Sequence, residues 1–281
     1  MSFLEIIKVI FLGIVEGITE WLPISSTGHM LLVNEFLKLN VSEQFMNMFL
    51  VVIQLGAIMA VVVIYWKRLW PFYKEEGTSS GVVVKRSTLL MWVKVIIGTL
   101  PVMVIGLLFD DLIDKYLHRS VVIAIMLILY GVWFIFIENR NKGRRPRVDK
   151  MKKMTYKDAL MVGLFQVLSI IPGTSRSGAT IIGGLWIGLS RKVAAEYTFF
   201  LGIPAMFGAS LLKILKFGLH FKAYEFFALI LGMGISFIVS IFVIKFLMKY
   251  IKTHDFKVFG YYRIGLGILV LLVALVKVIA K

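Results

Sequence analysis

The sequence contains no cysteine, which excludes disulfide bonds and thiol chemistry. It is also poor in acidic residues, because 16 Asp and Glu stand against 32 Lys and Arg, and the formal net charge is +16. The basic residues lie mainly at the ends of apolar segments, as in cytoplasmic loops of membrane proteins, so we expect no nucleic-acid partner. We expect no removable signal peptide either, since charged residues interrupt the apolar N-terminus and no small-residue cleavage site follows.

Apolar side chains are abundant: 59% of the 281 residues are hydrophobic, and the mean hydropathy is +0.88. A helix needs about 20 apolar residues to cross a bilayer. The sequence therefore predicts one all-α polytopic membrane domain over residues 1–281, with bound membrane lipids. Its six predicted full spans are residues 44–65, 88–109, 120–137, 193–212, 223–247 and 258–280.

Two further apolar segments, residues 6–37 and 159–189, are each interrupted by a polar turn with a proline, "PISSTGH" and "PGTSRSG". Irregular backbone at membrane depth is tolerated only when it is buried in protein or lines a wet cavity. We therefore expect two re-entrant helix-turn-helix hairpins.

The two interrupted segments resemble each other. "GIVEGITEWLPISSTG" from Gly13 aligns with "GLFQVLSIIPGTSRSG" from Gly163, which indicates an internal duplication of a hairpin plus three spans. The predicted organisation is a first repeat over residues 1–137, a basic cytoplasmic linker over 138–157 and a second, inverted repeat over 158–281. Broken helices of such inverted repeats meet near the membrane midplane.

Loop charge predicts the orientation. The basic connections at residues 66–87, 138–157 and 249–257 are expected to face the cytoplasm, and residues 110–119 the outside. Residues 213–222 are also expected outside, although their basic charge weighs against this scheme.

Four ionisable residues fall inside the two hairpins, and such residues are costly in a membrane unless they serve a function. Glu16 and Glu20 share a helix face one turn apart, His29 follows the first turn, and Arg176 lies in the second. One interpretation is structural, with Arg176 neutralising a glutamate to hold the hairpins together.

The hydroxyl residues around the turns favour a functional interpretation. Thr174, Ser175 and Ser177 mark a helix start, where they either cap the helix or, with free N–H groups and Arg176, bind a phosphate. The residues of "PISSTGH" offer a nucleophile and a proton-transfer group beside two carboxylates. Together they predict phosphoryl transfer on an amphiphile with a phosphate head. The alternative is a lipid-phosphate transporter or flippase that uses the same site for binding.

The motifs "EGITEWLPISSTGH" and "PGTSRSGAT" resemble those of the bacterial undecaprenyl-diphosphate phosphatase family, also known as bacitracin-resistance proteins, and the resemblance extends over the whole chain. It implies hydrolysis of undecaprenyl diphosphate to undecaprenyl phosphate and phosphate, which recycles the lipid carrier for cell-wall synthesis at the bacterial plasma membrane. The family's acidic pair falls on Glu16 and Glu20. Its other two motifs fall on Ser25, Ser26, His29, Ser175, Arg176, Ser177 and Thr180.

We accordingly expect an outward-facing site in which Ser26 attacks the terminal phosphorus. Glu20 or His29 takes the serine proton, and Arg176 stabilises the developing charge. Two alternatives stay open: His29 as the phosphoryl acceptor, and Glu16 with Glu20 as ligands of a divalent cation, Mg²⁺ or Ca²⁺. The expected substrate-binding residues are Ser25, Thr27, Gly173, Thr174, Ser175, Ser177 and Thr180. The polyprenyl diphosphate lipid is the expected partner, and the sequence permits a homodimer.

Overall fold

The computed structural model of the chain describes residues 2–73, 83–117, 119–218 and 220–279, without the side chains of residues 35, 110–115 and 278. The first half is helical apart from a short hairpin. Its elements are α1 (Phe3–Thr19), α2 (Ser26–Phe36), α3 (Glu43–Val52), α4 (Gln54–Ile64), α5 (Trp66–Leu69), the antiparallel strands β1 (Phe72–Tyr73) and β2 (Val83–Val84), α6 (Arg86–Leu117) and α7 (Ser120–Asn141).

The second half repeats the pattern of two short helices followed by long ones. Its elements are α8 (Tyr156–Val167), α9 (Arg176–Trp186), α10 (Arg191–Phe217), α11 (Ala223–Tyr250) and α12 (Lys257–Ile279). Short 3₁₀ turns at Met151–Lys153 and Leu168–Ile170 precede and follow α8.

Six helical segments of the described chain are long and apolar enough to cross a membrane, which confirms the all-α polytopic prediction. They are Glu43–Ile64, Arg86–Phe109, Ser120–Asn141, Arg191–Phe217, Ala223–Tyr250 and Lys257–Lys277. The first of them comprises α3 and α4, which join at Ile53 without leaving the helical region of backbone space. The last residue of the predicted span 258–280 lies outside the described residues.

The prediction of a loop from residue 110 was wrong, because α6 continues to Leu117. The sequence "DDLIDKYL" is polar enough to leave the membrane, yet it contains neither glycine nor proline to stop the helix. Helix α7 likewise runs past its predicted span 120–137, through Asn141, into the first residues of the predicted linker 138–157.

Helices of the two halves pack in matching pairs. Helix α1 lies against α11, and α8 lies against α6 in the same way, while α7 and α12 pack on each other. These last two cross at Gly131 and Gly260, where an added Cβ on either glycine would lie 2.7 Å from the carbonyl oxygen of the other. The close crossing brings α12 beside the turns of both short helix pairs.

The largest buried cluster lies behind these turns. Trp21, fully buried in the first turn, packs edge-on against Phe199 of α10 at 5.3 Å between ring centroids. Phe200, Tyr197 and Tyr130 belong to the same cluster. This packing surrounds the turn residues with close-packed aromatic side chains.

Candidate active site

The two turns meet through one ion pair. Arg176, the first residue of α9, donates from Nη2 and Nε to Glu20 Oε1, at 3.1 and 3.3 Å. Ser26, the first residue of α2, donates from Oγ to the other carboxylate oxygen, Glu20 Oε2, at 3.1 Å. The side chains of Arg176 and Glu20 are only 12% and 8% exposed. Three of the predicted catalytic residues therefore form one connected group.

Arg176 retains donors for a ligand. Its Nη1 donates to the carbonyl oxygen of Thr198 at 2.8 Å, and its guanidinium lies 5.6 Å from the ring centroid of Trp21. A guanidinium has five N–H groups, and these contacts use three of them. Since Arg176 also lines a cavity, the remaining N–H groups can hold a phosphate oxygen.

Glu16 lies one helical turn before Glu20 and is 1% exposed. Its Oε1 is buried and has no hydrogen-bond partner among the described residues. In the part of the chain that the structure describes, no group of three or more His, Asp or Glu side chains is close enough to hold a metal ion. A cation at Glu16 would therefore depend on oxygen ligands from the substrate or water, as is common for Mg²⁺.

The structure brings His29 close to the turn but turns it away from Ser26. Nδ1 lies 2.7 Å from the carbonyl oxygen of Ser25, so it carries the proton and donates it. Nε2 lies 2.7 Å from the hydroxyl of Tyr262, whose ring stacks on the imidazole. Both ring nitrogens are thus engaged by groups other than Ser26 and Glu20.

Several predicted binding hydroxyls hold the turns. Ser25 and Ser175 cap α2 and α9, accepting from the N–H groups of Gly28 and Gly178 at 3.3 and 3.2 Å. Both have a positive φ, 74° and 71°, which non-glycine residues rarely adopt. The matching caps give the two helix starts the same local backbone.

Ser177 and Thr180 join α9 to its surroundings. Ser177 Oγ donates to the carbonyl oxygen of Glu20 at 3.1 Å, and Thr180 Oγ1 shares a hydrogen bond of 2.8 Å with Thr198. Thr174 Oγ1 is buried without a partner in the described structure, whereas Thr27 is half-buried beside Ser26. Ser177 and Thr180 thus fix the backbone that carries Arg176.

Gly173 fits its turn because it has no side chain. Its φ is +91°, and an added Cβ would lie 2.5 Å from the carbonyl oxygen of Ile123 on α7. The residue is therefore required by the turn geometry, whichever ligand the turn binds.

Arg263 of α12 is fully buried and was not among the predicted site residues. Its guanidinium donates to the carbonyl oxygen of Pro23 in the first turn at 3.2 Å, and to those of Gly173 and Thr174 in the second at 2.8 Å each. It therefore ties both turns to α12. The sequence does indicate it, because Arg263 is the one arginine inside the predicted span 258–280, and a charged residue inside a membrane span usually has a function.

A cavity of about 400 Å³ leads to Arg176 between α6, α10 and the second turn. Near Arg176 its wall carries Gln54, Gln166 and Ser169, and towards the ends of α6 and α10 the wall is mostly apolar. Lys213 lines the distant end. The cavity is polar where the ion pair lies and apolar beyond it, which suits an amphiphile.

Comparison with known proteins gives one consistent result. Residues 9–269 match the family model described as "Bacitracin resistance protein BacA". A protein of Enterococcus faecalis named undecaprenyl-diphosphatase is 62% identical over 273 residues, covering 97% of this chain and 98% of that protein. Proteins with the same name from Desulfitobacterium hafniense and Acetivibrio thermocellus are 59% and 58% identical, covering 97% and 96% of this chain and 97% of each relative.

Proposed function

The chain belongs to the bacitracin resistance protein BacA family, and from this membership we infer that it hydrolyses undecaprenyl diphosphate to undecaprenyl phosphate and phosphate. It is an undecaprenyl-diphosphatase, and its reaction returns the lipid carrier to cell-wall synthesis. The observation that carries the mechanism is the contact of one buried carboxylate, Glu20, with both Ser26 and Arg176.

In the first step, Ser26 Oγ attacks the terminal phosphorus of the substrate. A bond forms between Oγ and phosphorus, and the bond from that phosphorus to the bridging oxygen breaks, so that undecaprenyl phosphate leaves. The serine proton moves to Glu20 Oε2, which already accepts the hydrogen bond from that hydroxyl. Glu20 then passes the proton to the departing phosphate.

In the second step, water attacks the phosphoserine. Glu20, again a carboxylate, takes a proton from the water as the new phosphorus–oxygen bond forms. The bond from phosphorus to Ser26 Oγ breaks, inorganic phosphate leaves, and Glu20 returns the proton to the serine. The same carboxylate serves both steps because Arg176 fixes its position from the opposite side.

Arg176 has a second role at the phosphate. Arg176 lines the cavity, and its unengaged N–H groups would stabilise the negative charge that develops on the transferring phosphoryl group. Removal of one such donor typically costs about 10²- to 10³-fold in rate.

The place in this site where a divalent cation would bind is the buried carboxylate of Glu16. The unpartnered Oε1 of Glu16 would hold Mg²⁺ or Ca²⁺, with Glu20 as its neighbour on the same face of α1. When bound, the cation would neutralise charge on the diphosphate.

The cavity supports an outward-facing site. It extends from Arg176 to Leu107, Leu212 and Lys213, towards the ends of α6 and α10 that the predicted topology places on the outside. The basic segment 138–157 lies at the other ends of the spans, as expected for the cytoplasmic face. We place the protein in the bacterial plasma membrane with the prenyl tail in the apolar part of this cavity.

The same features support an inverted repeat. The matching helix pairs and the paired caps at Ser25 and Ser175 are the contacts expected when residues 1–137 and 158–281 are related by a two-fold axis in the membrane plane. The two hairpins would then be re-entrant from opposite sides, with the linker 138–157 between the repeats. A homodimer stays a prediction, which light scattering of the purified protein in detergent tests.

The deciding experiment measures phosphate release from undecaprenyl diphosphate by purified protein in detergent, with and without a chelator. We expect turnover by the wild type and a loss of at least about 10²-fold in Ser26→Ala with an unchanged melting temperature. Arg176→Ala should lose at least as much activity per folded molecule, and its melting temperature should fall because Glu20 loses its ion-pair partner. Ser42→Ala, which removes an exposed helix cap away from the site, is the matched control. Full activity of Ser26→Ala would rule out the serine mechanism, and full activity under the chelator would rule out the cation.

A further inference from the structure

A second large cavity lies at the opposite ends of the spans. It has a volume of about 720 Å³ and is formed by the end of α7, the start of the linker, the turn from α9 to α10 and the end of α11. Eight of its lining residues are Lys or Arg, and Glu138 is its one lining carboxylate. The mechanism proposed above uses none of these residues.

The carboxylate is not available to the other cations. Glu138 accepts from Arg191 at 2.5 to 3.2 Å through both oxygens and also from the backbone N–H of Phe256 at 3.0 Å. A second cation of the eight, Arg147, is paired with Asp158 and donates to the carbonyl oxygen of Ile187. The remaining six cations have no carboxylate partner among the described residues: Arg140, Lys142, Arg144, Arg145, Lys192 and Lys252.

Arg140 gives an independent indication of a missing acceptor. Its guanidinium lies over the ring of Trp186 at 4.3 Å, which holds it against the wall of the cavity. Its Nη1 is buried and has no hydrogen-bond partner in the described part of the chain. A buried donor without an acceptor is costly, so a ligand oxygen at this point would stabilise it.

An apolar stripe continues from the cavity along the surface of α7. Ile125, Leu129, Val132 and Phe136 recur at helical spacing and are each about half exposed, and Phe136 contacts Trp186. The stripe rises about 16 Å along the helix, at 1.5 Å per residue. It leads directly to Arg140, so an acyl chain on the stripe brings its head group to the cations.

We propose that this cavity binds the phosphate head group of an anionic membrane lipid, with an acyl chain on the α7 stripe. Basic pockets between membrane helices bind such head groups through phosphate contacts. The stripe favours a lipid over free phosphate, which would gain nothing from Phe136 or Trp186. The inference concerns a site remote from Ser26 and does not rest on the proposed reaction.

The test measures binding of short-chain phosphatidylglycerol and short-chain phosphatidylcholine to the purified chain in neutral detergent. We expect the wild type to prefer phosphatidylglycerol, and R144A/R145A to weaken that binding by about 10- to 30-fold. Arg140→Gln should weaken it as well. The matched control K152A/K157A also removes two exposed charges from the segment 138–157, but outside the cavity, and should bind as the wild type does.

Three results would overturn the proposal. The first two are equal affinity for the two lipids and unchanged binding in R144A/R145A. The third is displacement of phosphatidylglycerol by inorganic phosphate at a similar concentration, which would identify a site for free anions. Phosphate release from undecaprenyl diphosphate by R144A/R145A should match the wild type, so failure here and failure of the proposed reaction are distinguished.

Discussion

Ser26 Oγ and Glu20 Oε2 lie 3.1 Å apart, although five residues and a sharp turn separate them in the chain. The contact exists because Ser25 adopts a positive φ and caps α2, which places Ser26 at the first position of that helix, opposite the end of α1. Arg176 then binds the second oxygen of the same carboxylate. A candidate nucleophile and a candidate base are therefore held together before substrate arrives.

Glu20→Gln should abolish most of the activity. An amide keeps the size of the side chain but cannot take the serine proton, and general-base catalysis contributes about 10²- to 10⁴-fold. We expect a loss in kcat of that order, measured as phosphate release, with KM changed much less.

The matched control for Glu20→Gln is Glu43→Gln, an exposed glutamate in the first turn of α3. It should keep wild-type turnover. A Glu20→Gln enzyme with more than about a tenth of the wild-type kcat would contradict the assignment of Glu20 as the base.

A covalent intermediate should be found on Ser26. Both nitrogens of His29 are engaged by Ser25 and Tyr262, so the imidazole is not free to attack phosphorus, whereas Ser26 Oγ donates a hydrogen bond to Glu20, the proposed base. Rapid quenching after mixing with substrate labelled in the terminal phosphate should recover labelled protein that survives acid and loses its label in base.

Two variants distinguish Ser26 from His29 as the phosphoryl acceptor. Ser26→Ala should give no labelled protein, and His29→Gln should still give some. Label that is lost in acid and survives base would identify phosphohistidine, and it would require His29 to leave the contacts seen here.

The sequence predicted that the ionisable residues of the two hairpins lie close together, because charges inside an apolar segment are costly without partners. One interpretation had Arg176 neutralising a glutamate of the first hairpin, and in the structure that glutamate is Glu20. The start of α9 was equally readable, since Ser175 was among the hydroxyl residues predicted to cap a helix, whereas the matching cap at Ser25 was not predicted. The catalytic roles of all five residues remain predictions: Ser26, His29, Glu20, Glu16 and Arg176.

Other features were not readable because they depend on distant contacts. The partner of His29 is Tyr262, which lies 233 positions away, and no pattern in the sequence links the two residues. Helix α6 runs past its predicted end because polarity marks the membrane surface and not the end of a helix. The short break between α3 and α4 at Ile53 is likewise not indicated by the pattern of apolar residues.

Arg263→Met should damage the site through the backbone of its two turns. The arginine donates to the carbonyl oxygens of Pro23, Gly173 and Thr174, and methionine would fill much of the volume without replacing those hydrogen bonds. Each buried acceptor left unpaired costs about 1–3 kcal/mol. We therefore expect a clear fall in melting temperature and, because both turns lose their common anchor, a fall in kcat for the folded protein.

A matched control distinguishes the loss of stability in Arg263→Met from its loss of kcat. Arg68→Met removes another paired arginine, bonded to Glu196 at 2.9 Å, which contacts neither turn. It should lower stability and leave kcat per folded molecule unchanged. Arg263→Lys, which keeps a charge but has a shorter reach, should fall between the wild type and Arg263→Met in kcat. If Arg263→Met and Arg68→Met both retain full kcat when folded, Arg263 stabilises the fold and does not position the turns.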